Sequence, residues 1–478
     1  MPARLLPDRI LLPLIVACAL FMENLDSTVL STALPTIAKD FGASPIHLKL
    51  ALTSYLLALA VFIPASGWLA DRFGARAIFR IAIAVFTLGS IACGLSSSIP
   101  EIVAARVVQG IGGSMMMPVG RLVILRSIPK HELVGSLAWL TVPALLGPVL
   151  GPPVGGFITT YFEWRWIFWI NVPVGILGLV LATLYLPDIR GEERPRFDGL
   201  GFLLTAFGLA LFMTGSTTLG LGLMPAPYVA AILGTGAVLL VIYIVRSRRM
   251  ASPIIDLSLL RIPTMGASLL GTLLFRIGVG ATPFLLPLML QVGFGMTPFQ
   301  SGMITFASAI GAIAMKFAAP PILRRFGFRR VLIANALIAG AFVALPAAFT
   351  PATPVSLMTG LLLVGGFFRS LQFTSVNALS YADIPQERMS RATTLTSVAQ
   401  QLSLSIGISI GAIALELTVG AGGGAITAAD FVPAFVVVGV LAMFSAIPFA
   451  FLARDAGREV SGHRPIAPDP VTVMRDRG

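Results

Sequence analysis

Along this chain the apolar residues gather into uninterrupted runs of roughly 20, each closed by a short stretch rich in charge, glycine or proline. The runs fall near 10–34, 49–70, 78–98, 100–125, 134–160, 166–187, 199–220, 226–245, 265–291, 300–322, 329–349, 355–379, 394–418 and 430–452. About 20 residues of helix cross a hydrocarbon layer of about 30 Å, whereas a barrel strand needs only about 9 to 11. The pattern therefore predicts about fourteen transmembrane helices. Connections are short, and the longest polar stretches are 188–198, 246–261 and the tail from Arg454, so little mass remains for a domain outside the bilayer.

Composition agrees: 56% of the 478 residues are apolar and 11% charged, against about 25% charged in an ordinary soluble domain. The predicted class is an all-α polytopic membrane protein, with the lipid bilayer as its first partner. A net charge of +12 raises nucleic acid as a second partner, and the positions of the bases remove it. Twenty-five of the 33 Lys and Arg residues lie at the N-terminus, in connections after even-numbered runs or in the tail. Three (Lys39, Lys49, Arg165) follow odd-numbered runs, and the rest lie within runs. By the positive-inside rule both termini are expected in the cytoplasm, with an even number of spans in the inner (cytoplasmic) membrane. Tyr161, Phe162, Trp164, Trp166 and Trp169 predict an interfacial aromatic belt. The first run is too long and too acidic for a cleavable signal. Cys18 and Cys93 lie inside runs, which excludes a disulfide framework.

Compared with itself, the chain repeats at one offset. Phe41-Gly42 and Pro45 return as Phe294-Gly295 and Pro298, Arg72-Phe73-Gly74 with Arg76 as Arg325-Phe326-Gly327 with Arg329, and Gly112-Gly113 as Gly365-Gly366, each 253 residues on. Chance similarity of apolar helices does not hold register across loops. The expected organisation is a six-helix half over 1–187, a two-helix linker over 188–256, a second six-helix half over 257–453 and a tail over 454–478. Paired repeats of this kind mark transporters, with the substrate site at their interface near mid-membrane.

After the second run comes Gly67-Trp-Leu-Ala-Asp71-Arg72-Phe-Gly74-Ala-Arg76. Its glycines permit a tight turn, and an acid among arginines can hold one helix end against a neighbour; ordinary positive-inside charge is the plainer reading. The segment resembles the loop signature of the major facilitator superfamily. That resemblance implies a major facilitator fold working by alternating access, with Gly67, Asp71, Arg72, Gly74 and Arg76 as a cytoplasmic latch. The second copy has Arg324 in place of Asp71.

Glu23 and Asp26 stand one turn apart inside the first run. A carboxylate at mid-membrane costs at least about 2.5 to 3.5 kcal/mol and must be neutralised, paired or hydrated. Such acids can carry a proton or merely hold helices together. Leu25-Asp26-Ser27-Thr28-Val29 resembles the first-helix signature of the fourteen-helix drug:proton antiporters of the QacA/EmrB type, with Leu30 where Asn is usual. The resemblance implies proton handling by Asp26. Arg106, about six residues into the fourth run, lies within a few Å of Asp26 in depth and could pair with it; the resemblance links it to proton coupling. Arg121 and Lys316 are expected to snorkel to the inner surface. Gly147, Gly151 and Gly155 share one face of the fifth run, and Pro148 and Pro152 bend it. The stretch ending at Gly156 resembles the superfamily's antiporter motif, which implies export. Trp164 to Gly175 resembles the sixth-helix signature of the same subfamily.

Arg276 and Arg369 lie near mid-membrane with no acid in their own spans. They either pair with neighbours such as Gln372 and Asn377 or grip an anionic substrate; with Gln109 these residues are assigned to the substrate path. No phosphate-binding loop occurs, and His47, His131 and His463 are far apart, so neither ATP hydrolysis, nor a metal site, nor an enzyme is expected. The function expected is proton-coupled efflux of multidrug-type or toxic amphiphilic compounds by a monomer, with the proton gradient in place of a cofactor. An exporter of an organic anion or metal chelate, and a transporter-like receptor, are the alternatives.

Overall fold

The computed structural model describes residues 7–41, 45–191, 196–218, 224–250, 252–421 and 427–463. All its regular elements are helical. The long ones are α1 (Asp8–Asp40), α2 (Pro45–Phe73), α3 (Ala75–Leu95), α4 (Ile99–Ser127), α5 (Leu133–Tyr161), α6 (Asn171–Tyr185), α7 (Gly199–Thr218), α8 (Ala226–Ser247), α9 (Pro263–Gly280), α10 (Pro298–Ala344), α11 (Val355–Leu379), α12 (Met389–Ala421) and α13 (Phe431–Phe444). Among the described residues, twelve segments are long and apolar enough to cross a membrane. Within hydrocarbon only a helix satisfies its own backbone, which is why such runs fold this way.

Two glycines at corresponding positions of the repeat set the sharp turns. Gly74 separates α2 from α3 at φ 95°, and Gly327 breaks α10 at φ 73° and ψ 162°. Positive φ is costly for any residue with a Cβ. Helix α10 opens on a capping box, in which Gln300 N donates to Thr297 Oγ1 and Thr297 N donates to Gln300 Oε1.

Helices α1 to α6 pack chiefly on one another, as do α9 to α13, and the two groups meet where α12 crosses α2 and α4 and where α5 crosses α10 and α11. The repeat is visible in these contacts. Gly110 on α4 presses on Ala58 of α2, and Gly311 on α10 presses on the Leu363 carbonyl of α11, the same two positions 253 residues on. Helices α7 and α8 pair with each other, and α7 also touches both α2 and α12.

The aromatic cluster divides. Tyr161, Phe162 and Trp166 are exposed as a belt requires. Trp164 is instead buried, donating from Nε1 to Asp40 at 2.9 Å, and Trp169 packs on Gly94.

Candidate functional site

Asp26 is buried at 2% exposure, and side chains from four other helices gather around it, two of them touching it directly. Arg106 from α4, fully buried, donates from Nη1 to Asp26 Oδ2 at 2.5 Å and from Nε to the Ala51 carbonyl of α2 at 3.2 Å. Gln109, one turn on, donates to Asp26 Oδ1 at 2.8 Å and accepts from Arg106 at 2.7 Å. Asn171, the first residue of α6, also donates to Asp26 Oδ1 at 2.8 Å. Ser90 of α3 accepts from both amides, and the Arg106 guanidinium lies 4.2 Å from the centre of the Tyr55 ring. The carboxylate is thus held by one cation and two amides, as a buried charge demands. Glu23 lies nearby: a Cβ on Gly113 would stand 3.0 Å from the Tyr55 hydroxyl and 3.7 Å from the Glu23 carboxyl carbon.

The glycines of α5 bring that helix onto the same turn of α1. A Cβ at Gly147 would lie 2.8 Å from Asn24 Cβ and 2.9 Å from Leu25 N, and one at Gly151 would collide with Thr28. Gly155 is buried, and its carbonyl accepts from Thr159 at 2.8 Å. Pro148, Pro152 and Gly156 continue this helix, and their surroundings lie outside the described residues.

At the loop after α2, Asp71 does not pair with Arg72 or Arg76. Its carboxylate accepts from Arg126, at the end of α4, at 3.0 Å, and from the hydroxyl of Ser390 on α12. Arg72 is exposed at the end of α2. Arg126 also donates to the Gln386 carbonyl. Gly67 lets α2 approach α12 closely: a Cβ there would lie 2.9 Å from the Ser390 carbonyl oxygen. Sequence reasoning missed Arg126 and Ser390, whose spacing from Asp71 carries no local pattern.

A cavity of about 370 Å³ lies between the two helix groups, and Arg276, Arg369 and Asn377 line it. Two expected members of this path are elsewhere. Gln109 belongs to the Asp26 cluster, where the carboxylate needs its amide, and Gln372 is buried against Asn335, which donates to it at 2.8 Å. Two residues expected to snorkel line the cavity instead. Arg121 donates to the Tyr381 hydroxyl at 3.2 Å and Lys316 to the Thr374 hydroxyl at 2.6 Å, and these buried acceptors remove the need to reach bulk water. Among the described residues no group of His, Cys, Asp and Glu is placed to hold a metal ion.

The sequence profile of the Major Facilitator Superfamily matches residues 16–266 and 268–475. The chain is 38% identical over 407 residues to MdtD of Salmonella heidelberg, a protein named for multidrug resistance, covering 84% of this chain and 86% of that one. It is equally similar, over 406 residues, to the protein of the same name from Shigella sonnei, covering 84% and 85%. Among solved structures, the fold is similar to the proton:xylose symporter XylE (TM-score 0.66, 16% identity, covering 95% of this chain and 98% of that one). It is also similar to the human organic anion transporter MFSD10 (TM-score 0.65, 15% identity, covering 93% and 100%).

Proposed function

The chain belongs to the major facilitator superfamily, and on that premise we propose that it is a proton-coupled antiporter that exports small molecules across the cytoplasmic membrane by alternating access. In this reading residues 1–187 and 257–453 are the two six-helix halves, 188–256 the linking pair and 454–478 a cytoplasmic tail. Fourteen spans result when α10 is divided at Gly327 and α5 is added to the twelve apolar segments. The contacts that recur 253 residues apart support the two halves.

The observation that carries the reading is the buried Asp26–Arg106 pair. A proton arriving on Asp26 cancels one member of the pair and leaves the guanidinium uncompensated, a cost on the order of 3 to 5 kcal/mol. That cost falls on α1 and α4, and a rearrangement that rehydrates Arg106 relieves it. Gln109 and Asn171 each donate a hydrogen bond to the Asp26 carboxylate, and Glu23 offers a second proton site one turn away. The glycine face of α5, packed on this turn of α1, ties movement of α1 to movement of α5; its resemblance to the antiporter motif supports export. Asp71, Arg126, Ser390 and Gly67 close one end between the halves and serve as the cytoplasmic latch. The relatives' name makes toxic amphiphiles the first cargo to assay.

The test is transport in proteoliposomes by the Asp26→Asn variant. Transport driven by a pH gradient is abolished while counterflow without a gradient persists. Undiminished gradient-driven transport in this variant overturns the assignment.

A further inference from the structure

The charged side chains that line the central cavity are of one sign among the described residues. Arg121, Arg276, Lys316 and Arg369 all line it, and among the described residues no Asp or Glu does. Each cation with a partner is held by a neutral group. Arg121 donates to the Tyr381 hydroxyl, Lys316 to the Thr374 hydroxyl, and Arg369 from Nη2 to the Ser308 hydroxyl at 2.9 Å. The Arg276 guanidinium lies 4.6 Å from the centre of the Phe373 ring, and its buried Nε has no hydrogen-bond partner among the described residues. These partners fix the side chains in place without cancelling their charge. A guanidinium cannot relieve itself by losing its proton, so the compensating charge has to come from the occupant.

We propose that the cavity binds an organic anion carrying two or more acidic groups, gripped by Arg276 and Arg369, with Lys316 and Arg121 completing the charge. The inference rests on the transporter reading above. A monoanion would leave most of the arginines' positive charge unanswered, and a cation would be repelled by all three of them. Arginine forks match the two oxygens of a carboxylate, which gives orientation as well as attraction. Leu20, Met117 and Leu140 supply an apolar wall from α1, α4 and α5, suited to a short carbon skeleton. A volume of about 370 Å³ falls at the lower end of small-molecule sites. Arg369 and Pro283 also line a second cavity of about 270 Å³, so Arg369 stands where the two adjoin and can pass an anion from one to the other.

The experiment is counterflow in proteoliposomes without a pH gradient, using labelled succinate, carboxyfluorescein and ethidium as separate probes. At least one anion exchanges and ethidium does not. Arg276→Gln and Arg369→Gln each slow anion exchange tenfold or more, and Arg276→Lys retains more of it. Should a glutamine variant fail to fold, the wild type decides: the anion that exchanges must raise its melting temperature beyond the effect of sodium chloride at equal ionic strength. Movement of ethidium alone, movement of no probe, anion exchange that survives both glutamine substitutions, or no melting shift in the fallback assay overturns the proposal. Because no gradient is imposed, failure of proton coupling leaves this result unchanged, and a gradient that drives ethidium alone sinks the cargo while sparing the coupling.

Discussion

Asp26 has a donor, besides Arg106, that the sequence does not advertise. Asn171 contributes one of two amide hydrogen bonds to Asp26 Oδ1, and a bond to a charged group is worth about 1.5 to 3 kcal/mol. Asn171→Leu is therefore expected to slow gradient-driven transport by about tenfold, less than Asp26→Asn does, and to leave counterflow near the wild-type rate. A variant with both rates reduced alike would place Asn171 in the packing alone. The acids and Arg106 were legible because a charge inside an apolar run is conspicuous and expensive. Asn171, Ser90 and Tyr55 were not, since uncharged polar side chains are cheap in a helix and gain meaning only from what they face. Arg121 and Lys316 were misread for a related reason. Depth along a helix can be counted from the sequence, but the hydroxyls that hold these side chains, Tyr381 in the turn after α11 and Thr374 on α11, lie 260 and 58 residues away in the chain.

Between elements, the end closed by Asp71 depends on contacts among α2, α4 and α12. The side chains of Asp71 and Arg126 are only 12% and 7% exposed, so removing one charge leaves the other poorly solvated. Asp71→Asn is expected to loosen this end, increasing several-fold the labelling of a Ser390→Cys reporter by a water-soluble maleimide. Unchanged labelling would show that packing around Gly67 closes the end by itself. Just outside the membrane spans, Asp256 joins the segment after α8 to Arg388 at 2.8 Å and to Arg391 at 3.4 Å, next to Ser390. Burial works to raise the Asp256 carboxyl, but hydrogen bonds from Ser258 and Arg388 and the charge of Arg388 hold it below its ordinary value. A carboxyl lowered by folding stabilises above its unfolded value and loses that contribution as pH falls through the folded one. Asp256→Asn should thus lower the melting temperature at pH 7, and the difference should close as the pH falls below the ordinary carboxylate range. A difference that persists in acid would assign the effect to shape and not to charge. The apolar runs revealed the helices themselves, and the repeat marked Gly327 as a break; the joints between helices were hidden because their partners lie up to 319 residues apart.

Across the whole molecule, the repeat builds two helix groups of similar packing and furnishes them differently. The acids sit in the first group, away from the central cavity, and the cavity is lined by cations drawn from both groups. In the proposed reading the proton site and the cargo site are therefore separate, and coupling between them passes through movements of α1, α4 and α5, which contribute to both. This separation also fixes the sign of charge movement. If a dianion leaves while a proton enters, both steps carry positive charge inward, whereas export of a monovalent cation against one proton moves no net charge. Each elementary charge crossing the membrane is worth about 2.3 kcal/mol per 100 mV. An inside-negative potential set by potassium and valinomycin should then drive succinate efflux from the compartment facing the tail with no pH gradient present. Reversing the potential should suppress that efflux, and insensitivity to its sign would rule out exchange of a polyanion for protons.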